Sequence, residues 1–537
     1  MSSRATEIRQ CWQQFSNAAE PAYAGWQAAL SAPAAAQQTV LMKILADNCN
    51  TAFGQAHDFS STHDIDAFRR QVPVTDYTSL SPWLQRAQTE CGPVLTKLPP
   101  LFFERTSGNS AAQKRIPYTR AFLEELQRSL VVWLADAYRT MPGLGEGRAY
   151  WSMSPSMQSM EQTANGIAVG SASDLSYLDG SLVASLASTL LAPALHGEPQ
   201  YWRRHTLFAL LEADDLAFIS VWSPTFLSTL LRPLFDSTDQ ERSGTLNFLM
   251  DTLSMPRRRA LRAALEVGHC GPLWPRLAAI SCWMDGPSQN FAAALRLLFP
   301  QVPCLPKGLF ATEGVVSLPF GAGPGCPLAI QSHYLEFLDQ LGKVHGVESL
   351  QADVTYQVLL TTGGGLYRYA LGDRVQVTGF SCLTPRVSFV GRGGVAGACS
   401  DLVGEKLSEN DINDAFAQVL SPDTIACLVP CVGNAPFNSQ PYYVLLIAGN
   451  APEAAESAAA AIDMQLQRVF HYGHARSIGQ LGAVRARILG GSPERFAELL
   501  QRAAEAAGVR AGDVKPRVLI NHAAMAQALV TLTNVGQ

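Results

Sequence analysis

The sequence predicts an α/β fold, with a large N-terminal domain of mixed sheets and helices and a smaller, mobile α+β C-terminal domain. Helix-like and strand-like patterns alternate along the chain, which is typical of this class. At 537 residues and 47% hydrophobic, the chain is long enough for more than one hydrophobic core. Four glycines in the seven residues from 391 to 397 indicate a hinge. The predicted boundaries are 1–390 for the first domain, 391–400 for the hinge and 401–537 for the second domain.

Individual elements follow from hydrophobic periodicity. The clearest helix covers residues 120–139, where apolar residues recur on one face and Thr119 is a suitable N-cap. Alternation of apolar residues predicts strands. Further helices are predicted at 34–57, 224–235, 289–299, 453–469 and 494–508, and strands at 352–362, 386–390 and 442–449.

Composition excludes several functional classes. A net charge of −5 and a pI near 6.1 argue against nucleic acid as a partner, and the arginines of 255–265 alternate with leucines as on a solvated helix face. The longest apolar stretch, 182–195, is shorter than the ~20 residues of a membrane span, and the N-terminus lacks a signal-peptide pattern. The eleven cysteines are scattered, as in reduced proteins. We therefore expect a cytoplasmic protein without a membrane partner; its oligomeric state is open, and a monomer is compatible with the sequence.

The first chemical motif is a loop rich in small and hydroxyl-bearing residues that ends directly before the helix at 120–139. Backbone N–H groups in such a loop can form an anion nest, and Lys114 adds a positive charge. The loop lacks the second glycine of a Walker A motif, and the same composition also occurs in ordinary turns that cap a helix. The residues predicted to bind phosphate are Thr106, Ser107, Gly108, Asn109 and Ser110.

Two later segments add oxygen ligands. In the segment 307–320, Thr312 and Glu313 precede a glycine, where a carboxylate can bind Mg²⁺ that bridges phosphates. In the segment 362–380, a glycine turn leads to Tyr367 and then to Asp373, whose carboxylate can accept hydrogen bonds from both hydroxyls of a ribose. Each segment alone could also be a turn at the end of a strand.

Taken together and in this order, the three segments resemble the GH3 family of acyl-acid amido synthetases, which belongs to the acyl-adenylate-forming superfamily. TSGNSAAQKRIPYT is similar to the family's phosphate loop, LFATEG to its second motif, and TTGGGLYRYALGDRVQVTGF to its third. The resemblance covers roughly residues 35–520. It implies that the loop with Lys114 binds the ATP phosphates, that Glu313 binds Mg²⁺, and that Asp373 binds the ribose. The segment 511–520 is similar to the one that carries the family's mobile catalytic lysine, which would be Lys515 here.

The resemblance also implies a reaction: ATP activates a carboxylic acid as an acyl-adenylate, and the acyl group then passes to an amine, typically that of an amino acid. Arg392, at the start of the hinge, is assigned to the nucleotide-binding residues and is expected to anchor domain rotation; a surface arginine is the alternative. The loops do not distinguish an amine from CoA or a carrier protein as the acceptor, and an inactive nucleotide- or acid-binding homologue is a further alternative.

The sequence departs from the family pattern at four positions. Asn109 stands for a threonine, Ala111 for a glycine, Leu309 for a tyrosine and Ala370 for an arginine. The change at Leu309 leaves open which aromatic residue stacks on adenine, and Phe310 and Tyr367 are the two alternatives.

Overall fold

The computed structural model of the chain describes residues 3–105, 114–152, 161–170, 186, 189–191, 199–235, 240–392, 399–400, 402–403, 405–431, 441–449, 451–489, 493–509 and 514–534. Helices and strands are mixed throughout these residues, so the predicted α/β class is confirmed. The described N-terminal helices are Ser3–Ala29, Pro33–Asn48, Ala52–Ala56, Ile65–Gln71, Tyr77–Thr89, Arg120–Thr140, Pro199–Glu212, Pro224–Phe235, Gln240–Thr252, Met255–Val267 and Gln289–Leu298.

In the described residues, three sheets of four or more strands build the N-terminal part. The parallel sheet has the order Leu190–Leu191, Arg148–Trp151, Leu216–Ser220, Ala279–Ser281, Cys304–Leu305, and each pair of neighbours is parallel. The central antiparallel sheet has the order Cys326–Pro327, Thr384–Arg392, Tyr369–Ser381, Thr355–Thr361, Tyr334–Leu338, Val344–His345. The small sheet has the order Arg115–Tyr118, Phe102–Arg105, Ala168–Val169, Glu161–Gln162. One large core lies between the helices, the latter two sheets and one face of the parallel sheet, and a second core packs on the other face of the parallel sheet.

The C-terminal part is a separate layered unit. Its sheet has the order Ala426–Cys431, Tyr442–Ala448, Arg485–Leu489, and its helices are Glu409–Val419, Pro452–Leu466, Phe470–Ser477, Pro493–Ala506 and Ala523–Asn534. Separate apolar clusters on this unit contain alternate residues of the same strands, because successive side chains of a strand point to opposite faces. The unit packs on the N-terminal part through the rings of Phe291 and Phe496, 6.2 Å apart, and through an ion pair between Arg203 and Glu505.

Most predicted elements are present with shifted ends. The helix Arg120–Thr140 begins where predicted, and the Thr119 side chain accepts a hydrogen bond from the Phe122 amide. The prediction of one continuous helix over 34–57 is wrong. The helix ends at Asn48, and Thr51 caps a new helix at Ala52–Ala56.

A second correction concerns the arginine-rich helix Met255–Val267. The Arg257 side chain is not on a solvated face but buried, and its guanidinium donates to the carbonyls of Leu211 and Leu273. This arginine therefore stabilises the packing between loops and helices. Over the described part of the chain, none of the helices combines the length and the apolar character needed to cross a membrane.

Candidate active site

The carboxyl edge of the parallel sheet carries a set of large side chains. Trp151 ends one strand, Trp222 and Trp283 each follow the end of another, and Lys307 comes two residues after the fourth. Because these strands are parallel, the four residues meet at the same edge. In open α/β sheets ligands bind at this edge.

A tight hairpin beside this edge presents Thr312 and Glu313. Strand Phe310–Ala311 pairs with Gly314–Val315, and the pairing of Ala311 with Gly314 makes Thr312 and Glu313 the two-residue turn. Gly314 has φ 155°, and a Cβ there would lie 2.9 Å from Nε2 of His333. A larger residue would push the turn out of place. The Glu313 side chain is 5% exposed, and no described residue donates a hydrogen bond to its carboxylate.

Two contacts tie this hairpin and the glycine turn to the segment that follows the phosphate loop. The Tyr118 hydroxyl donates to the Thr312 carbonyl at 2.9 Å. The Thr119 hydroxyl donates to the Gly363 carbonyl at 2.8 Å. The three motifs recognised in the sequence therefore come together through direct hydrogen bonds between their flanking residues.

A buried carboxylate fixes the glycine turn from the other side. Glu125 accepts the Gly363 amide at 2.9 and 3.0 Å, and its Oε2 lies 2.8 Å from Nδ1 of His333. A Cβ on Gly363 would lie 2.6 Å from the Glu125 carboxylate, so only glycine allows this approach. Among the described residues, Nε2 of His333 has no hydrogen-bond partner, so the contact with Glu125 holds the ring through Nδ1 alone.

Asp373 and Lys515 line one cleft between the N-terminal and C-terminal parts. Asp373 lies on the strand Tyr369–Ser381, opposite Arg392, and is 3% exposed. Lys515 comes from the C-terminal part, and its ammonium lies 5.1 Å from the ring centre of Trp283. Leu309 and Phe310 line the same cleft. Asp373 and Lys515, which are 142 positions apart in the chain, thus meet at one site.

Lys114 is held by the strand that also carries Asp373. Its ammonium donates to the Tyr369 hydroxyl at 3.2 Å and lies 5.6 Å from the ring centre of Tyr77. Tyr369 and Asp373 are four residues apart on one strand, which corresponds to roughly 13 Å. Lys114 is therefore near the cleft without lining it.

Tyr367 is not brought to the cleft. Its ring is fully buried and stacks on Phe53 at 4.6 Å, and its hydroxyl donates to the Leu95 carbonyl. Burial raises the pKa of this phenol far above its ordinary value. Tyr367 is a core residue, and of the two aromatic alternatives only Phe310 lines the cleft.

The predicted phosphate-binding residues Thr106, Ser107, Gly108, Asn109 and Ser110 lie outside the described residues, as does the side chain of Arg392. The backbone of Arg392 ends the strand Thr384–Arg392.

Two segments of the chain match the domains of a known protein family. Residues 24–304 match the GH3 family N-terminal domain, and residues 326–392 match the GH3 family central domain. The first match alone covers more than half of the chain. The chain belongs to the GH3 family. The jasmonoyl-L-amino acid synthetase JAR6 of Nicotiana attenuata is 25% identical over 409 residues, which cover 66% of this chain and 68% of that protein.

Solved structures extend the likeness of this GH3 protein to its C-terminal part. The AtGH3.15 acyl acid amido synthetase in complex with 2,4-DB has a TM-score of 0.75 at 18% identity and covers 99% of this chain and 97% of its own. A 2-hydroxyisobutyryl-CoA ligase in the postadenylation state, in complex with 2-HIB-AMP, has a TM-score of 0.50 at 12% identity and covers 93% of this chain and 91% of its own. The fold is therefore that of adenylate-forming enzymes.

The motifs in the sequence do not predict several residues at the carboxyl edge of the parallel sheet in this GH3 protein. Trp222, Trp283 and Lys307 were not identified, because none belongs to a phosphate-binding motif. A signal was present: each follows a short apolar run that forms a strand of the parallel sheet. Asp285 also lines the cleft, and burial raises the pKa of its carboxyl, against the effect of a hydrogen bond from the Phe389 amide.

A pair of thiols lies under the same sheet edge. A hydrogen bond with the Cys282 thiol lowers the pKa of Cys304 to about 7, and the positive charge of Arg296 acts in the same direction against burial. The same hydrogen bond, together with burial, raises the pKa of Cys282 well above its ordinary value. Cys304 is therefore the thiol of the pair that ionises first.

Proposed function

We propose that this GH3 protein uses ATP to convert a small carboxylic acid into an acyl-adenylate and then transfers the acyl group to the amine of an amino acid. The observation that carries the proposal is the position of Lys515, which the C-terminal part brings into the cleft that Asp373 lines. The fold shared with adenylate-forming enzymes and the family assignment support it.

The described residues fit a nucleotide. Asp373 supplies a carboxylate for the ribose hydroxyls, and Phe310 supplies an aromatic face at the same cleft for adenine. Lys114 supplies a positive charge for the phosphates, and its tie to Tyr369 holds the end of the phosphate loop near the strand of Asp373. These roles are proposals that rest on placement and chemical type.

Mg²⁺ fits Glu313. Proteins commonly hold Mg²⁺ with one or two carboxylates and substrate phosphates rather than with an all-protein cage. The described residues contain no group of three or more His, Cys, Asp or Glu side chains that could form such a cage. Glu313 would therefore hold the ion together with the phosphates, and the ion would screen their negative charge.

The chain itself supplies positioning and charge. A free carboxylate is a poor electrophile, because oxide would have to leave. When the carboxylate oxygen attacks the α-phosphorus and pyrophosphate leaves, the acyl carbon gains AMP as a leaving group. Lys515 would stabilise the negative charge that develops at the α-phosphate, and preorganised donors of this kind are worth roughly 10²- to 10³-fold in rate.

Release of Lys515 would allow the second half-reaction. The contacts Phe291–Phe496 and Arg203–Glu505 hold the C-terminal part in the position that keeps Lys515 in the cleft. Rotation about the hinge at 391–400, which contains Arg392, would break these contacts and admit the amine to the adenylate. The same rotation would serve CoA or a carrier protein as acceptor, so the acceptor must be measured.

ATP–pyrophosphate exchange with a library of carboxylic acids tests the first half-reaction. We expect exchange that depends on one class of acid and on Mg²⁺. Nucleotide binding without exchange for any acid would refute adenylation and favour the inactive homologue. Mass spectrometry of products after addition of amino acids, diamines or CoA then identifies the acceptor, and a thioester as the sole product would refute the amide ligase.

A further inference from the structure

A fully buried histidine stands between two of the nucleotide motifs. The His333 side chain is 0% exposed, and its Nδ1 lies 2.8 Å from Oε2 of Glu125, the carboxylate that also accepts the Gly363 amide. On the other side of the ring, Nε2 has no hydrogen-bond partner among the described residues. A buried polar atom without a partner lowers stability, so the position of this ring needs a reason.

The Nε2 edge of the ring backs the turn that carries the candidate Mg²⁺ ligand. A Cβ on Gly314 would lie 2.9 Å from Nε2 and 3.0 Å from Cδ2 of His333, so the ring packs directly against the backbone there. Gly314 follows Glu313, whose carboxylate receives no hydrogen bond from the described residues. The turn is instead held through its backbone, by the bond from Tyr118 to the Thr312 carbonyl and by the imidazole under Gly314.

Other parts of the chain fix the ring in place. The ring of Phe122 stacks on the imidazole, with ring centres 5.4 Å and planes 19° apart. The buried Gln37 side chain donates to the His333 carbonyl at 2.8 Å and accepts from the Leu335 amide at 2.7 Å. Protein interiors are close-packed, so a displacement on one side of a buried ring reaches the other side. The imidazole therefore connects the glycine turn to the turn of Glu313.

We propose that His333 is a positioning residue that sets the distance between the turn of Glu313 and the glycine turn at Gly363, and thereby the affinity for Mg²⁺ together with ATP. This inference rests on the proposed function, since Glu313 is taken to hold Mg²⁺ on the phosphates. Mg²⁺ requires nearly ideal octahedral geometry with oxygen ligands at about 2.0 to 2.1 Å. A small displacement of the Glu313 carboxylate relative to the phosphates therefore weakens the site.

Two substitutions separate the two contacts of the ring. His333→Asn keeps a donor near the position of Nδ1 for Glu125 and removes the edge behind Gly314. His333→Phe keeps a ring on Phe122 and removes the hydrogen bond to Glu125. Since the connection needs both contacts, we expect each variant to raise the Mg²⁺ concentration at the midpoint of nucleotide binding about tenfold, near the lower end of the roughly 10- to 100-fold that is typical for residues orienting metal ligands.

The test is calorimetric titration of the full-length protein with α,β-methylene-ATP at a series of Mg²⁺ concentrations. This analogue cannot be cleaved between the α- and β-phosphates, so the titration reports binding without reaction. The Mg²⁺ dependence of ATP–pyrophosphate exchange gives a second midpoint. His345→Phe is the matched control, because His345 contacts the Asp339 carboxylate at 2.9 Å and lies on an edge strand of the same sheet as the glycine turn. It should keep the wild-type midpoint.

The outcomes separate this inference from a merely structural role and from the proposed function. A structural role lowers the melting temperature and the active fraction without moving the Mg²⁺ midpoint. An unchanged midpoint in either His333 variant, or an equal shift in His345→Phe, would overturn the role of His333 and leave adenylation intact. A wild type without Mg²⁺-dependent nucleotide binding and without exchange for any acid would refute the proposed function itself. If His333→Phe does not fold, as judged from its melting curve, the midpoint of His333→Asn decides alone.

Discussion

Replacing Glu125 with glutamine should loosen the glycine turn and weaken nucleotide binding. Glu125 is 5% exposed and accepts hydrogen bonds from the Gly363 amide and from Nδ1 of His333. Gly363 is also bound by Thr119, directly after the segment of the phosphate loop, so Glu125 supports both nucleotide motifs at once. Glutamine has nearly the same shape but offers one acceptor oxygen in place of two and turns an NH₂ group towards one of the two donors.

The magnitude follows from these contacts. The substitution removes one charge-assisted hydrogen bond, worth about 1.5 to 3 kcal/mol, and leaves a buried donor without an acceptor, which costs about 1 to 3 kcal/mol more. Partial relaxation of His333 reduces the total, so we expect the free energy of unfolding of the N-terminal part to fall by about 2 to 4 kcal/mol. KM for ATP should rise because the turn no longer holds the loop segment.

Urea denaturation followed by tryptophan fluorescence, together with ATP–pyrophosphate exchange, measures both effects. Glu124→Gln is the matched control, because Glu124 lies on the same helix with an exposed side chain. Exposed substitutions of this kind change stability by about 0.5 kcal/mol or less. If Glu125→Gln unfolds within that margin of the control and keeps the wild-type KM for ATP, the carboxylate does not fix the turn and the reasoning is refuted.

Three further predictions concern the catalytic groups and the thiol pair. Lys515→Ala should lower the rate of acid-dependent pyrophosphate release roughly 10²- to 10³-fold and leave ATP binding in calorimetry largely intact, whereas Lys343→Ala should not change the rate; equal rates in Lys515→Ala and wild type would exclude the catalytic role. Glu313→Gln should raise the Mg²⁺ concentration needed for half-maximal exchange, because a neutral amide binds the ion more weakly than a carboxylate; an unchanged Mg²⁺ titration would remove Glu313 from the metal site. Iodoacetamide should alkylate Cys304 with a rate that rises through about pH 7, since the pKa of this thiol is lowered and its thiolate is the reactive form. In Cys282→Ala the midpoint, measured by peptide mass spectrometry, should move up towards the ordinary thiol value, and a midpoint that stays near 7 would show that the hydrogen bond from Cys282 is not the cause.

The agreement between sequence and structure was best where a pattern is local. Thr119 was recognised as an N-cap, because a cap depends only on the residues that follow it. The strand predicted at 442–449 is present as Tyr442–Ala448, since period-2 alternation is also local. Glu313 was recognised from a short motif that ends in Gly314, and the structure places Gly314, with φ 155°, in the hairpin that presents this carboxylate.

Agreement was poorer where burial depends on distant partners. Tyr367, Arg368 and Tyr369 are successive residues, and all three are buried. Tyr367 stacks on Phe53, Arg368 donates to Glu336, and Tyr369 accepts from Lys114. Tyr367 and Arg368 precede the strand Tyr369–Ser381, so no local period applies to them, and their burial depends on partners from distant segments.

The sequence by itself determined the class of fold and the family, and it carries the proposed nucleotide chemistry, because short contiguous motifs specify the backbone turns and charges that ATP requires. Only the tertiary structure decided which aromatic residues reach the cleft, which buried groups hold the glycine turn, and where Lys307 lies among the indoles. The physical reason is that a side chain's environment comes from segments hundreds of residues away. Trp133, Ser220 and Lys307 come from separate segments of the chain, and they act on one another only after the parallel sheet has brought its strands together.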